Sequence, residues 1–235
     1  MRGIHPQPGR LLLVGSTRAR AGVLLICCAL LVVALGVLFA HQTRADWLDQ
    51  AVDSPVITWL GSHRGLLLWL AAAGSQIPAA VGSAALVLAC LVAGRLNGAV
   101  LAGTAVLVAV GLDEEVFKPL VHRTYMSAVT YPSGHTTGIV TLAATVTVLL
   151  LLPPQPAKSR ALRSAIAATA WLLGAVVAIG VIGLRWHYFT DTLAGAAVGI
   201  GTVCGLALFL DLPAVRRWLA LASRLLPGGS ATLAA

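Results

Sequence analysis

Long apolar segments constrain the fold of this chain more than any other feature of its sequence. A helix that crosses the hydrocarbon core of a bilayer needs about 20 mainly apolar residues, and six segments meet that length. They cover residues 22–41, 65–94, 97–117, 136–152, 165–185 and 188–210. Charged residues make up only 10% of the chain, too few to cover a water-soluble surface. The sequence therefore predicts an all-α fold, a polytopic membrane bundle with about six transmembrane helices.

Two regions depart from this simple pattern. The second segment is interrupted by Gly-Ser-Gln-Ile-Pro at residues 74–78, so its helix breaks there or begins after Ser75. Before that segment, residues 42–64 place Trp47, Trp59 and other apolar side chains at helical spacing, with three aspartates on the other faces. Because tryptophan favours the membrane interface, we expect an amphipathic helix that lies along the membrane surface.

The distribution of charge predicts the orientation of the bundle. Eleven lysines and arginines and one acidic residue lie in the segments 1–22, 95–97, 153–164 and 211–235, whereas the opposite side has five cations and seven acids. Segments rich in Lys and Arg stay in the cytoplasm, so both termini are expected inside a plasma-membrane protein. This gives a cytoplasmic N-terminal segment (1–22), a single membrane domain (23–210) and a cytoplasmic C-terminal tail (211–235).

The first apolar segment follows basic residues, as a secretory signal does. Its core, residues 23–40, is too long for a typical signal peptide, and it lacks a small-x-small cleavage site. We therefore expect a retained signal anchor. Residues 153–156, Pro-Pro-Gln-Pro, are expected to form a turn between spans.

Composition also limits the partners. The net charge of +8 does not favour nucleic acid, because the basic residues lie in short segments between apolar runs and not on one face. The four cysteines lie inside apolar stretches without nearby histidines at metal-ligand spacing, so we interpret them as small buried hydrophobes. No metal or other cofactor is expected. The oligomeric state is left open.

The first segment whose residues could bind or react with a ligand is Tyr-Pro-Ser-Gly-His-Thr at residues 131–136, directly before an apolar run. A helix that starts at Ser133 and Gly134 presents free backbone N–H groups and the positive end of its dipole, which suits an anion. His135 beside this position can donate a proton to a departing oxygen. The alternative is a capped helix with an interfacial histidine.

The second such segment, residues 185–191, lies between the fifth and sixth apolar segments. A spacing of four on a helix puts His187 and Asp191 on one face, where the carboxylate can hold one ring nitrogen protonated and direct the other outward. A histidine oriented in this way can act as nucleophile or base. The alternative is a structural hydrogen bond, although the convergence of cations and histidines on one membrane face favours a functional site.

These residues resemble the type 2 phosphatidic acid phosphatase family, membrane relatives of vanadium haloperoxidases. That family has Lys, six residues and Arg-Pro, then Pro-Ser-Gly-His, then Ser-Arg, five residues, His, three residues and Asp. Here Lys118, residues 132–135, and His187 with Asp191 match, and the resemblance covers about residues 60–210. It implies that His187 is the nucleophile, Asp191 its orienting residue and His135 the general acid. Lys118, Ser133 and Gly134 are implied as phosphate-binding residues.

Both arginines of the family pattern are missing at their expected positions. Tyr125, followed by Met126, stands in place of the first, and Val181 stands in place of the second. Arg123 lies two residues before the first position, and Arg185 lies four residues after the second, about one helical turn further on and on nearly the same helix face. We therefore predict that Arg123 and Arg185 are relocated phosphate-binding residues, since a long guanidinium side chain can reach the same phosphate. Glu115 is expected to pair with Lys118 across three residues.

The resemblance implies metal-independent hydrolysis of a lipid phosphate or a lipid (prenyl) pyrophosphate at the outer membrane face, through a phosphohistidine intermediate. The cations take the place of a divalent ion in this scheme. Undecaprenyl pyrophosphate, phosphatidic acid and phosphatidylglycerol phosphate all fit such a site. Two alternatives remain: a lipid phosphotransferase that uses the same site, and a lipid-phosphate binding or transport protein that does not cleave its ligand.

Overall fold

The structure, a computed structural model, describes residues 11–152 and 159–225, with side chains up to residue 222. Helices dominate this part of the chain, so the predicted all-α fold is confirmed. The helices are α1 (Ser16–Phe39), α2 (Trp47–Leu60), α3 (Arg64–Ala72), α4 (Gln76–Val92), α5 (Leu96–Leu112), α6 (Lys118–Val121), α7 (Gly134–Leu151), α8 (Arg160–Gly183), α9 (Phe189–Leu210) and α10 (Pro213–Leu225). A π-helical segment, Asp113–Phe117, joins α5 to α6. A short hairpin, β1 (Thr124–Tyr125) and β2 (Ala128–Val129), follows α6.

Six helical stretches in the described residues are long and apolar enough to cross a membrane. They are Ser16–Phe39, Arg64–Val92, Leu96–Val121, Gly134–Leu151, Arg160–Gly183 and Phe189–Leu210. All six predicted segments overlap them in order. Their outer faces expose large apolar side chains such as Val37, Leu107 and Leu172, which lipid accommodates far better than water does. The chain is therefore an integral membrane protein. The predicted turn at residues 153–156 lies outside the described residues.

The second span is broken where the sequence predicts, between α3 and α4. Gly74 lies in this break, and a Cβ atom added there would lie 2.5 Å from Cγ1 of Val177 and 2.9 Å from the carbonyl oxygen of His135. Only a glycine leaves room for this approach. The break therefore allows the second span to pack closely against the start of α7 and the middle of α8.

The amphipathic helix predicted within residues 42–64 is α2. Its first turn is capped by Asp46, whose carboxylate accepts a hydrogen bond of 2.7 Å from the backbone N–H of Asp49. Trp47 and Trp59 are exposed, whereas Asp49 and Asp53 are buried against the rest of the protein. The helix therefore turns two acidic side chains inward, and its location at the membrane surface stays a prediction.

Helix α9 lies at the centre of the bundle, where it packs against α1, α5 and α7. Gly195 and Gly199 face α7, and Cβ atoms added there would lie 2.6 Å from the carbonyl oxygen of Ser133 and 2.9 Å from the backbone nitrogen of Thr141. Small residues four apart let the backbones of two membrane helices approach closely. This contact brings the N-terminal ends of α7 and α9 together.

Residues 12 and 13 meet the C-terminal end of α9, at the side of the bundle opposite to these N-terminal ends. The carboxylate of Asp211 accepts hydrogen bonds from the backbone N–H groups of Leu12 at 2.9 Å and Leu13 at 2.7 Å. Helix α10, which follows Asp211, is an element that the sequence analysis did not predict. Pro213 at its start and the apolar residues at helical spacing that follow are the signals that indicate it.

Candidate active site

The start of α7 is a candidate anion-binding position. Ser133 is fully buried, and its backbone N–H donates a hydrogen bond of 3.0 Å to the carbonyl oxygen of Asp191. Gly134 opens the helix. A Cβ atom added to it would lie 3.2 Å from Oδ2 of Asp113, 3.3 Å from Oε1 of Glu114 and 3.9 Å from Nζ of Lys118. The glycine therefore leaves space where the lysine meets the helix N-terminus, which is favourable for anions.

Lys118 is held at this position by Glu114. Its ammonium lies 2.5 Å from Oε1 of Glu114, so the predicted pairing of Lys118 with Glu115 is wrong. The π-helical segment that precedes Lys118 has a wider turn than an α-helix, and the backbone N–H of Lys118 accordingly donates to the carbonyl of Asp113. Glu114 and Lys118 then face each other across four residues, and both side chains retain some exposure.

His187 lies just before α9, and a backbone carbonyl holds its ring. Its Nδ1 atom lies 2.9 Å from the carbonyl oxygen of Thr130. Since a carbonyl oxygen only accepts hydrogen bonds, Nδ1 carries the proton and Nε2 keeps its lone pair. Oδ2 of Asp191 lies 4.0 Å from Nδ1, beyond hydrogen-bonding distance. The expected shared helix face does not form, because α9 begins at Phe189.

The environment of His187 keeps its ring neutral. Burial, followed by the charges of His135 and Lys118, lowers the pKa of His187 to about 3, and the hydrogen bond to Thr130 opposes this shift only in part. Among the described residues the carbonyl of Thr130 is the acceptor within hydrogen-bonding distance of the ring, and burial disfavours a charged imidazolium. Nε2 of His187 is therefore unprotonated, and available as a nucleophile, at neutral pH.

His135 lies in the first turn of α7, opposite His187. The centroids of the two imidazole rings are 6.3 Å apart, in an edge-to-face arrangement, and Trp186 lies 5.5 Å from the ring of His135. The side chain of His135 is half-buried. The structure thus brings together His187, His135, Lys118 and the start of α7, as the sequence analysis expects. The two histidines are therefore close enough to act on one group, one as nucleophile and the other as acid.

Arg123 lies elsewhere, inside the protein, with no exposed surface. Its Nη1 atom donates to Oδ1 of Asp191 and to Oγ1 of Thr190, both at 2.7 Å, and Nη2 donates to the carboxylate of Asp49. The guanidinium lies between the rings of Phe39 and Tyr188, 4.2 Å from each centroid. Protein groups therefore hold both Nη atoms. The structure does not bring Arg123 to the start of α7, and its contact with phosphate stays a prediction.

Arg185 lies beyond the end of α8, which stops at Gly183. Its backbone N–H donates to the carbonyl of Ile182, and the N–H of Trp186 donates to the carbonyl of Val181, both at 2.9 Å. This pair of bonds is a Schellman motif, in which Arg185, with φ of 61°, occupies the left-handed position that glycine usually takes. The side chain is exposed, whereas Val181 is fully buried. The two positions do not share a helix face, contrary to the sequence analysis.

Several residues near the site were not assigned a role from the sequence. Thr130 acts through its backbone carbonyl, which leaves no sequence signal. Asp49 and Asp53 were recognised only as the polar side of an amphipathic helix, although their spacing of four places them on one face. Asp113 is fully buried beside Gly134, and neither carboxylate oxygen has a hydrogen-bond partner among the described residues. A buried acid within an otherwise apolar segment is itself the signal.

The family of this chain follows from a comparison with known proteins. The model of the PAP2 superfamily matches residues 11–212, which include all three motif segments and α1 to α9. Neither the curated proteins nor the solved structures contain a match. The match covers most of the chain and confirms the resemblance given by its motifs. The chain belongs to the PAP2 superfamily, whose members are phosphatases that act on phosphate esters, often those of lipids.

Proposed function

We propose that this chain is a metal-independent phosphatase that hydrolyses a lipid phosphate or a prenyl pyrophosphate at the outer face of the plasma membrane. The observation that carries the proposal is the orientation of His187. Thr130 holds the protonated Nδ1 of this ring, so Nε2 has a free lone pair within a site that also holds His135, Lys118 and the start of α7. No group of three or more potential metal-ligating side chains occurs among the described residues.

The first step transfers the phosphoryl group to the enzyme. Nε2 of His187 attacks phosphorus in line as the bond to the leaving oxygen breaks, and His135, protonated, gives its proton to that oxygen. Lys118, Arg185 and the backbone N–H groups of the first turn of α7 stabilise the charge on the three equatorial oxygens. Substrate phosphate displaces Glu114 from Lys118 as it binds. The products are a phosphohistidine and the dephosphorylated lipid.

The second step returns the enzyme to its initial state. His135, now neutral, removes a proton from a water molecule, whose oxygen attacks phosphorus while the bond to Nε2 of His187 breaks. Inorganic phosphate leaves, and His187 regains its lone pair. In a lipid phosphotransferase, a lipid hydroxyl would take the place of this water.

The location of the site supports a lipid substrate. His135 and His187 lie at the N-terminal ends of the spanning helices α7 and α9, at the depth of lipid head groups if the helices cross the bilayer. The charge distribution of the sequence, with the positive-inside rule, supports an orientation in which this end of the bundle faces outside the cell. A phosphate that is attached to a membrane-embedded tail would reach the start of α7 without leaving the bilayer.

Phosphate release by the purified protein tests the proposal. The substrates are undecaprenyl pyrophosphate, phosphatidic acid and phosphatidylglycerol phosphate in detergent, each with and without excess EDTA and without any added acceptor. We expect release from at least one lipid that EDTA does not reduce and that His187→Ala abolishes. Loss of activity in EDTA with recovery in Mg²⁺ would contradict a metal-independent site. Turnover that requires a lipid acceptor would identify a phosphotransferase, and binding without turnover would identify a binding or transport protein.

A further inference from the structure

Helix α2 lies outside the three motifs, yet it holds the start of α9. Oδ1 of Asp49 accepts hydrogen bonds from the backbone N–H of Thr190 at 2.9 Å and from its hydroxyl at 2.8 Å. One helical turn further along α2, Asp53 accepts a bond of 3.1 Å from the backbone N–H of Phe189. The two carboxylates therefore occupy the orphan N–H groups of the first turn of α9, where the helix dipole favours negative charge.

Arg123 connects this contact to the rest of the site. Its guanidinium joins the carboxylate of Asp49 to that of Asp191, and both ion pairs have no exposed surface. Deleting one partner of a buried ion pair strongly destabilises a protein, because the charge of the other partner is left buried and uncompensated. The flanking rings of Phe39 and Tyr188 keep water away from the guanidinium. This geometry fixes the guanidinium between α2 and α9.

Arg123 is also connected to His187 through two other residues, Thr130 and Asp191. Its carbonyl oxygen accepts a hydrogen bond of 2.9 Å from the backbone N–H of Thr130, the residue whose own carbonyl holds Nδ1 of His187. Through its side chain it holds Asp191, whose Oδ2 accepts a bond of 3.0 Å from the backbone N–H of Tyr188. Arg123 therefore holds two segments next to His187, one hydrogen-bonded to its ring through Thr130 and the other beginning at the next residue, Tyr188.

We propose that Asp49 of α2 and Arg123 are positioning residues that hold the orientation of His187 by clamping Thr130 and the start of α9. The inference rests on the proposed function, in which His187 is the nucleophile. It gives the helix α2 a role in catalysis, and it gives Arg123 a role that needs no contact with substrate. A displacement of about 1 Å in a reacting group lowers a rate by as much as about a hundredfold, so a small shift of this clamp is sufficient to affect turnover.

The test compares Asp49→Asn and Arg123→Lys with matched controls on exposed residues, Glu115→Gln and Arg44→Lys. Asparagine keeps an oxygen for the N–H of Thr190, but its NH2 group replaces the oxygen that accepts from Nη2 of Arg123, and the charge that pairs with Arg123 is lost. Lysine keeps a charge but not the fork that joins two carboxylates. Asp53→Asn is the milder variant if the first two fail to fold, which size-exclusion chromatography and thermal melting establish. For each protein we measure kcat, KM, inhibition by vanadate and hydrogen exchange of residues 185–192.

A positioning role predicts a kcat that is lower by about tenfold to a hundredfold, with KM within about twofold of the wild-type value. It also predicts faster exchange of residues 185–192 in the same variants. If Arg123→Lys instead raises KM and weakens inhibition by vanadate while kcat is unchanged, then Arg123 binds phosphate and the inference is overturned. Values for Asp49→Asn that equal those for Glu115→Gln would also overturn it.

The exchange measurement separates this inference from the proposed function. If the wild-type protein turns over no lipid, the proposed function fails, and exchange of residues 185–192 alone decides whether α2 holds the segment around His187. Faster exchange in Asp49→Asn than in Glu115→Gln would support the clamp. Equal exchange in the two variants would contradict it.

Discussion

His187 and Asp53 both lie near the start of α9, and burial favours the neutral form of each, so it raises the pKa of Asp53 and lowers that of His187. Burial, followed by the charge of Asp49, raises the pKa of Asp53 from 3.8 to about 7. Burial lowers the pKa of His187 from 6.5 to about 3. Between pH 4 and 6.5 the folded protein therefore holds a proton on Asp53 that the unfolded chain lacks, and the unfolded chain holds a proton on His187 that the folded protein lacks. The two contributions to the pH dependence of stability oppose each other.

We expect substitutions to reveal each contribution. The stability that neutral His187 confers is fully present above pH 6.5 and is lost as pH falls toward 3. In His187→Gln this loss is absent, so the variant should become more stable, relative to wild type, as pH falls from 7 to 4. Asp53→Asn should show the opposite trend. Each slope is at most about 1.4 kcal/mol per pH unit, measured as the free energy of unfolding in detergent from pH 4 to 8. His63→Gln, at an exposed histidine, is the control, and a slope for His187→Gln equal to that of the control would contradict the assignment.

Arg185 is a residue at which stability and activity are expected to conflict. A side chain other than glycine in the left-handed region costs about 1–3 kcal/mol, so Arg185→Gly should raise the melting temperature by relieving this strain. The same change removes a cation that we propose binds the phosphoryl group, so turnover should fall by about a hundredfold. Thermal melting and phosphate release measure the two effects.

Two further variants distinguish the effect of the strained backbone at Arg185 from the effect of its charge. Arg185→Ala keeps the strained φ and should lose turnover without gaining stability. His41→Gly, at an exposed residue with φ of 58°, should gain stability without losing turnover. If Arg185→Gly keeps wild-type turnover, then Arg185 does not bind phosphate.

Part of the candidate site could be predicted from the sequence because its residues are chemically distinctive. His135, Lys118 and His187 stand out in a chain with few charges, and their order along the chain matches a known pattern. The role of Thr130 could not be predicted, since any residue supplies the same carbonyl oxygen. Arg123 carries the right chemistry for phosphate, but its burial depends on Asp49, Phe39 and other distant residues that meet it only in the folded chain.

At the scale of elements, the close contact between α7 and α9 depends on two glycines. Gly199→Ala would place a methyl group 2.9 Å from both the backbone nitrogen and the hydroxyl oxygen of Thr141, so the helices must move apart. We expect a destabilisation of about 1–3 kcal/mol. Gly111→Ala, at a position in α5 with no atom within 4 Å, is the control and should be neutral or slightly stabilising because alanine favours helix. Equal melting temperatures for the two variants would contradict this packing.

Gly195→Ala adds an effect on activity, since Gly195 lies one helical turn closer to the site. Its methyl group would lie 2.6 Å from the carbonyl oxygen of Ser133, and it must displace the start of α7 from His187. We expect turnover to fall by about tenfold or more beyond any loss of folded protein. A Gly195→Ala protein that is folded and fully active would show that the start of α7 need not lie against α9.

The spanning helices could be predicted because length and hydropathy alone define them. The break at Gly74 was also predictable, since glycine and proline interrupt an apolar run there. The π-helical segment at Asp113–Phe117 was not, because it replaces one turn of helix without changing the hydrophobic pattern. It changes the partner of Lys118 from Glu115 to Glu114, so an error of one residue in helical register altered the predicted ion pair.

At the scale of the whole molecule, the two ends of the helical bundle differ in charge. The segment after α1 and the hairpin after α6 lie at one end, where the backbone N–H of Thr124 donates a bond of 3.0 Å to the carbonyl of Gln42. That end holds His135 and His187. The opposite end holds the start of α8 and the contact between Leu12 and Asp211. The described parts of the cation-rich segments lie at this second end, so the positive-inside rule predicts that the site faces the outside.

Accessibility to a membrane-impermeant thiol reagent in intact cells tests this orientation. The native cysteines all lie within spanning helices, so single cysteines introduced at Gln42, Met126 and Ser159 report on the two faces. We expect labelling of Gln42→Cys and Met126→Cys but not of Ser159→Cys, because the first two lie at the end with the site and Ser159 precedes α8 at the other. Labelling of Ser159→Cys after the cells are permeabilised is the control for reactivity. The reverse pattern would put the site in the cytoplasm, so that only lipid phosphates of the inner leaflet could be its substrates.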